Sequence, residues 1–181
     1  MRTLDAVLGL GWLAFWLYWL AAAVGVKAGR SMWGRFGASR LVIAVVVIVL
    51  VRLHVFRGHM HDGAWLGGVG FAMFVLGLGL AIWARLHLGR NWGSPMSQKQ
   101  DPELVTTGPY RWIRNPIYSG IILAMIGTAL AVSVFWLIPV ALLGGYFVYS
   151  AFVEQRFMAS QFPDQYPAYQ QSTKMLIPFV F

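Results

Sequence analysis

Charged side chains fall in clusters along this chain, and long apolar runs separate them. The longest run without a charge is Asn115–Val153. One membrane crossing needs ~20 apolar residues, because ~30 Å of hydrocarbon is covered at 1.5 Å per residue. The run is about twice that length and predicts two helices in a tight hairpin. Its tip falls near Ala131–Phe135, where Ser133 interrupts the apolar pattern, and Pro139 then stands early in the returning helix. Upstream, Ala6–Val26 predicts a first span. The core Leu41–Val51 predicts a second, extended to Ser39–Phe56 by letting Arg40 and Arg52 snorkel to the headgroups. Gly63–Ala84 predicts a third, and its GGVGFA and GLGLA stretches set small residues at helical spacing, where a neighbouring helix can approach closely. The expected fold is all-α: one polytopic membrane domain, 1–181, of five transmembrane helices, the last two forming the hairpin.

Composition agrees with this pattern. The 181 residues are 59% hydrophobic and 11% charged, against about 25% charged in an ordinary soluble domain. The net charge of +8 lies between hydrophobic segments, which points to anionic lipid headgroups rather than nucleic acid. Arg2 and Asp5 nearly cancel, and the apolar stretch after them is too long for the core of a cleavable signal. Lys27, Arg30, Arg35 and Arg40 follow the first span; Arg85, Arg90, Lys99, Arg111 and Arg114 follow the third, against Asp101 and Glu103. With these loops cytoplasmic, the N-terminus lies outside and the C-terminus inside, in a cell inner or plasma membrane. The segment Arg85–Arg114 and the tail Glu154–Phe181 then share one face. The absence of cysteine excludes disulfides, thiolate metal sites and a cysteine nucleophile.

Three polar constellations fall on that face. ARLHLGRNW places His87, Arg90 and Trp92 at the end of the third span, with Gly89 suited to a left-handed cap. TTGPYRWIRNPIYSG turns at Gly108–Pro109 and then offers Asn115 as N-cap and Pro116 as the first helical residue of the fourth span. Capping does not account for Tyr110, Arg111, Arg114 and Tyr118 at the same mouth, where a helix N-terminus and guanidinium groups together suit a carboxylate or phosphate. In the third constellation, Glu154 ends the last span and Tyr166 and Tyr169 sit on a short interfacial helix. A carboxylate beside hydrocarbon is costly unless paired or functional, and Arg111 or Arg114 is the expected partner. No nucleotide-binding glycine loop and no HExxH occurs. His54, His59 and His61 fall on the opposite face, so no metal site is expected.

These residues resemble the isoprenylcysteine carboxyl methyltransferase family, whose wider relatives include the phospholipid N-methyltransferases. The resemblance is carried by GPYRWIRNPIYSG (Gly108–Gly120), EQRFMASQF (Glu154–Phe162), the later Tyr166, Tyr169 and Pro178, and LGRNW (Leu88–Trp92). It covers about Ala84–Phe181. It implies S-adenosylmethionine as cofactor, with a lipophilic small molecule or lipid entering from the bilayer as methyl acceptor, a prenylcysteine-like carboxylate among the candidates. The implied cofactor-binding residues are His87, Arg90, Trp92, Tyr110, Arg114, Asn115, Pro116, Tyr118, Gly120, Glu154, Tyr166 and Tyr169; the catalytic set is Arg111, Arg114 and Glu154. Two positions depart from the family pattern. Asn115 stands where the family has His and Gln155 where it often has a second Glu; neither side chain can carry the charge its counterpart can.

Methyl transfer is an in-line displacement that depends mainly on alignment and exclusion of water. A carboxylate acceptor needs no base, whereas an amine acceptor must lose a proton, with Glu154 or His87 as the candidate bases. The alternatives are a phospholipid or amine N-methyltransferase, a membrane reductase of the sterol type, and a non-catalytic membrane protein that binds cofactor or lipid without turnover.

Overall fold

The computed structural model describes residues 3–22, 29–31, 64–92, 97–99 and 103–180. It contains α1 (Thr3–Ala22), β1 (Gly29–Ser31), α2 (Ala64–Leu88), β2 (Ser97–Lys99), α3 (Pro116–Val132), α4 (Leu137–Gln161) and α5 (Tyr166–Ser172). The two strands form a three-residue antiparallel ladder, Gly29 facing Lys99 and Ser31 facing Ser97, a small addition to an otherwise helical architecture.

Among the described residues, three segments are long and apolar enough to cross a membrane: Thr3–Ala22, Trp65–Asn91 and Val134–Gln161. Five had been expected. The expected fourth, α3, is a shorter apolar helix of 17 residues, because Asn115 and Ser133 bound it tightly. The expected second, Ser39–Phe56, lies outside the described residues. Large side chains such as Leu10, Leu13, Leu17 and Leu20 project from α1 unburied. That much apolar surface belongs in lipid rather than in water.

Close backbone approach sets the helix directions. Along α1 and α2, Leu4 meets Gly67, the Gly11 position faces Phe74, and Arg85 donates to the Ala22 carbonyl, so these two helices run parallel. In contrast, α2 and α3 run antiparallel through a glycine seam. A methyl group on Gly70 would come within 2.5 Å of the Gly127 carbonyl oxygen, and one on Gly77 within 2.5 Å of the Gly120 carbonyl oxygen. Ala81, Ala124 and Ala131 continue the seam, and Phe74, Leu8 and Phe15 fill the space beside it. The small residues read from GGVGFA and GLGLA thus do what their spacing predicted. The one buried polar contact across α1 and α3 is fully paired among the described residues: Trp12 Nε1 donates to Thr128 Oγ1 at 3.1 Å, and Thr128 donates to the Ala124 carbonyl at 2.9 Å.

The hairpin tip falls where expected. Val132 ends α3, Ser133 is extended and accepts from the Phe135 amide, and Pro139 is buried in the first turn of α4. Consequently the C-terminal ends of α1, α2 and α4 and the N-terminal end of α3 lie at one end of the bundle. Every polar constellation of the sequence gathers there.

Candidate functional site

Two glycines with positive φ shape the entrance. Gly89 (φ 51°) closes α2 as its left-handed cap, and Gly108 (φ 58°) begins the single helical turn Gly108–Arg111. Gly108 also packs on His87: an added Cβ would lie 2.5 Å from the His87 Nε2 atom.

The tail is stitched onto the GPYRWIRNP segment by backbone bonds. Arg114 N–H donates to the Lys174 carbonyl at 2.8 Å, Asn115 N–H to the Met175 carbonyl at 3.1 Å, and Lys174 N–H to the Trp112 carbonyl at 3.0 Å. Side chains reinforce the join. Ser119 Oγ donates to the Leu176 carbonyl at 2.6 Å, and Tyr169 O–H to the Tyr110 carbonyl at 2.7 Å. Arg114 Nη1 donates to the carbonyls of Thr173 (2.6 Å) and Gln170 (3.0 Å), and Nη2 reaches Gln155 Oε1 at 3.4 Å. Asn115 precedes α3 as expected, but its side chain does not cap the helix. Its Nδ2 donates instead to the Met175 carbonyl at 3.2 Å, because the tail supplies an acceptor on that side.

Between this join and the helix ends lies a cavity of about 360 Å³. Of the expected site residues, Trp92, Tyr110, Arg114, Asn115, Tyr118, Glu154, Tyr166 and Tyr169 line it. Glu154 accepts a 2.5 Å hydrogen bond from the Tyr118 hydroxyl, a partner the sequence had not named. Tyr166 and Tyr169 meet edge to face at 5.9 Å. Burial pushes the phenols of Tyr110, Tyr166 and Tyr169 above their ordinary range, and neighbouring tyrosines or Glu154 add to this, so all three remain proton donors.

Five expected residues are not among those lining the cavity. His87 is exposed and engaged with the Trp83 carbonyl and ring. Arg90 is exposed on the short turn after Gly89. Arg111 is exposed with its guanidinium 5.0 Å from the Trp112 ring centroid. Pro116 is fully buried at the first position of α3, and Gly120 is consumed by the seam with Gly77.

The structure adds residues that sequence reasoning missed. Trp16 and Trp19 of α1, Leu104, Gln155, Phe157 and Met158 also line the cavity. So do Asn91 and Glu103, joined by a 3.0 Å hydrogen bond from Asn91 Nδ2. Arg85, read as a loop charge, is 5% exposed. It donates to the carbonyls of Gly89 (2.7 Å) and Ala22 and lies 4.6 Å from the Trp92 ring centroid, while Trp92 meets Trp19 edge-on at 5.7 Å. The signal for Arg85 was its position one residue after the uncharged run, where a buried cation tends to be functional or structural.

Comparison with known proteins gives this geometry a lineage. The phospholipid methyltransferase family model matches residues 66–165. The cobalt-zinc-cadmium resistance protein CzcN of Cupriavidus metallidurans is 29% identical over 151 residues, covering 80% of this chain and 63% of that protein. Protein-S-isoprenylcysteine O-methyltransferase of Tribolium castaneum is 32% identical over 120 residues, covering 64% of this chain and 43% of that protein. The chain therefore spans less than two thirds of either curated relative. Among solved structures, a eukaryotic intramembrane Ras methyltransferase, isoprenylcysteine carboxyl methyltransferase, superimposes with a TM-score of 0.59 at 25% identity, covering 83% of this chain and 55% of that one. The matching model is thus that of the wider relatives named from the sequence, with the isoprenylcysteine enzymes as kin. The family model takes in the third constellation as far as α4 and the glycine seam whole, and this chain belongs to the phospholipid methyltransferase family.

Proposed function

We propose that the protein is an S-adenosylmethionine-dependent methyltransferase acting at the membrane interface on a lipophilic acceptor. The observation that carries this reading is the convergence of the family's motif residues on one cavity at a single end of a membrane bundle. Its volume of about 360 Å³ lies in the usual range for small-molecule sites, ~300–1,000 Å³.

The donor set suits the cofactor. Arg114 Nε and Asn91 Oδ1 are buried without a hydrogen-bond partner among the described residues, and both residues line the cavity. An orphaned donor and an orphaned acceptor beside carboxylates and aromatic rings fit a ligand carrying a carboxylate, an ammonium group and a purine. Tyr110, Arg114, Asn115, Glu154, Tyr166 and Tyr169, with Trp92 and Asn91, would hold it. When bound, it supplies an electrophilic methyl group on a sulfonium. The chain's own work is positional. Tyr118 fixes the Glu154 carboxylate, Arg114 keeps the tail closed over the cavity, and the tryptophans and tyrosines exclude water.

The acceptor reading that the Tribolium relative supports is a prenylcysteine-like carboxylate, which needs no base. The family model supports a phospholipid or amine acceptor, and Glu154 is then the base, since His87 is outside the cavity. Five spans, with the N-terminus outside and the C-terminus cytoplasmic in an inner or plasma membrane, complete the proposal. The parallel course of α1, α2 and α4 against α3 matches the first, third, fifth and fourth of such spans.

The test uses the full chain in nanodiscs. Equilibrium dialysis should show retained S-adenosylmethionine, and methyl incorporation should appear in N-acetyl-S-farnesylcysteine or in phosphatidylethanolamine. Retention without transfer to any lipid or thioether would make the chain a non-catalytic binder; no retention would remove the reading altogether. For orientation, single cysteines at Thr3→Cys and Lys174→Cys should label from opposite sides of intact cells.

A further inference from the structure

The cavity extends from the polar end of the bundle into the apolar depth of the helices. Three lining residues mark its deep end, each on a different helix. At 1.5 Å per residue, Trp16 lies about 9 Å before the end of α1 at Ala22, Ile121 about 8 Å past Pro116 in α3, and Phe147 about 10 Å before Glu154 in α4. The unsatisfied polar atoms sit at the other end, on Asn91 and Arg114. A polar cofactor is drawn to that polar end, so hydrocarbon is what suits the deep one.

Of the three walls, the one from α1 lies outside the residues 66–165 that match the family model. It is also firmly held. Arg85 ties the Ala22 end of α1 to α2 and backs Trp92, which meets Trp19 edge-on. One turn deeper, Trp12 is fixed to Thr128 and stacks on Trp16 at 6.5 Å. Trp16 itself is 47% exposed, so its indole stands both on the cavity and on the lipid-facing side of α1.

Resting on the methyltransferase reading above, we infer that Trp16 is a specificity-determining residue: its indole sets the length and bulk of the acceptor's hydrocarbon that the deep end admits. Removing the ring lengthens the apolar slot without touching the polar end. A pocket discriminates added or missing methylenes by about ten- to two-hundredfold each at best, and a slot bounded by one ring gives the lower end of that range.

The experiment compares wild type, Trp16→Leu and Trp16→Phe in nanodiscs, with protein-free nanodiscs as the blank. Binding and methylation of N-acetyl-S-decyl-, S-tetradecyl- and S-octadecylcysteine are measured beside S-adenosylmethionine affinity by equilibrium dialysis. In Trp16→Leu the preference for the octadecyl over the decyl thioether should rise about tenfold, with cofactor affinity unchanged and Trp16→Phe intermediate. An unchanged chain-length preference, or a fall in cofactor affinity parallel to any change, overturns the inference and gives Trp16 to the cofactor or to packing alone. A wild-type chain that retains no S-adenosylmethionine overturns the reading beneath it, a failure visible before any variant is made.

Discussion

Arg114 was expected to meet an anionic ligand; the structure gives it a second task that can be measured separately. Its guanidinium holds the tail through the Thr173 and Gln170 carbonyls at 2.6 and 3.0 Å, with weaker contacts to Thr173 Oγ1 and Gln155 Oε1. Arg114→Ala leaves two carbonyls without their charged donor. A hydrogen bond to a charged group contributes ~1.5–3 kcal/mol, and the residue is only half-buried, so water recovers part of the loss; about 2–4 kcal/mol of tail docking should disappear. Because each ~1.4 kcal/mol is a factor of ten, the amides of Arg114, Asn115 and Lys174, which carry the backbone join, should exchange roughly thirtyfold to several hundredfold faster. Amides in the α2–α3 seam, such as that of Phe74, should be unaffected.

Hydrogen exchange in nanodiscs, with and without S-adenosylmethionine, reads both roles. Arg114→Lys should recover little, since a single ammonium cannot reproduce the fork that reaches both carbonyls. Faster tail exchange with lost cofactor affinity is the expected result. Unchanged tail exchange in a folded Arg114→Ala protein would refute the clamp, whatever the affinity does.

The glycine seam makes a sharper structural prediction: Gly120→Ala places a methyl against the Gly77 carbonyl and should cost about 1–3 kcal/mol or abolish folding, while Gly79→Ala, which meets nothing within 4 Å, should be neutral in a thermal melt. Asn115→Asp should be worse than Asn115→Ala, because a carboxylate facing the Met175 carbonyl repels it where the amide donated; chemical denaturation should separate them by about 1 kcal/mol. Burial raises the phenol pKa of Tyr110, Tyr166 and Tyr169, so their protonated forms are favoured in the fold. That contribution is complete below the unfolded value of ~10 and is lost as pH climbs toward the folded values. Melting temperature should therefore fall as pH rises above about 10, and fall less in Tyr169→Phe.

Much of this architecture was legible because it depends on local signals. Runs of uncharged residues marked α1, α2 and the hairpin, Ser133 marked its tip, and Gly89 and Gly108 marked turns, since each effect acts within one or two helical turns. The seam was half legible. Glycine spacing showed that something would approach, and only the fold shows that Gly70 and Gly77 receive Gly127 and Gly120. The site divided on the same principle. A motif on a turn sends alternate side chains to opposite sides, so Tyr110 and Arg114 enter the cavity while Arg111 turns outward onto Trp112. Nothing in the local sequence distinguishes those arginines. The tail decides, because its carbonyls from Gln170 and Thr173 are the acceptors that draw Arg114 inward. Trp16 and Trp19 were illegible for the same reason: they are indistinguishable from lipid-facing tryptophans until α2 fixes the rotation of α1.

The two departures from the family pattern acquire physical content here. Asn115 contributes a neutral donor to the Met175 carbonyl, a bond a protonated or suitably oriented imidazole could also make but a carboxylate could not. Gln155 accepts from Arg114 as a carboxylate would, without neutralising it. Gln155 therefore adds no negative charge beside Arg114 at the cavity wall. Glu154 accepts a hydrogen bond from Tyr118. Replacing Gln155 by Glu would add a second carboxylate beside Arg114 and lower the site's attraction for an anionic group. By that argument Gln155→Glu should weaken retention of S-adenosylhomocysteine, which presents a carboxylate but no sulfonium, relative to S-adenosylmethionine, whose sulfonium charge offsets the change. Equal losses for the two ligands would show that residue 155 acts on shape and not on charge.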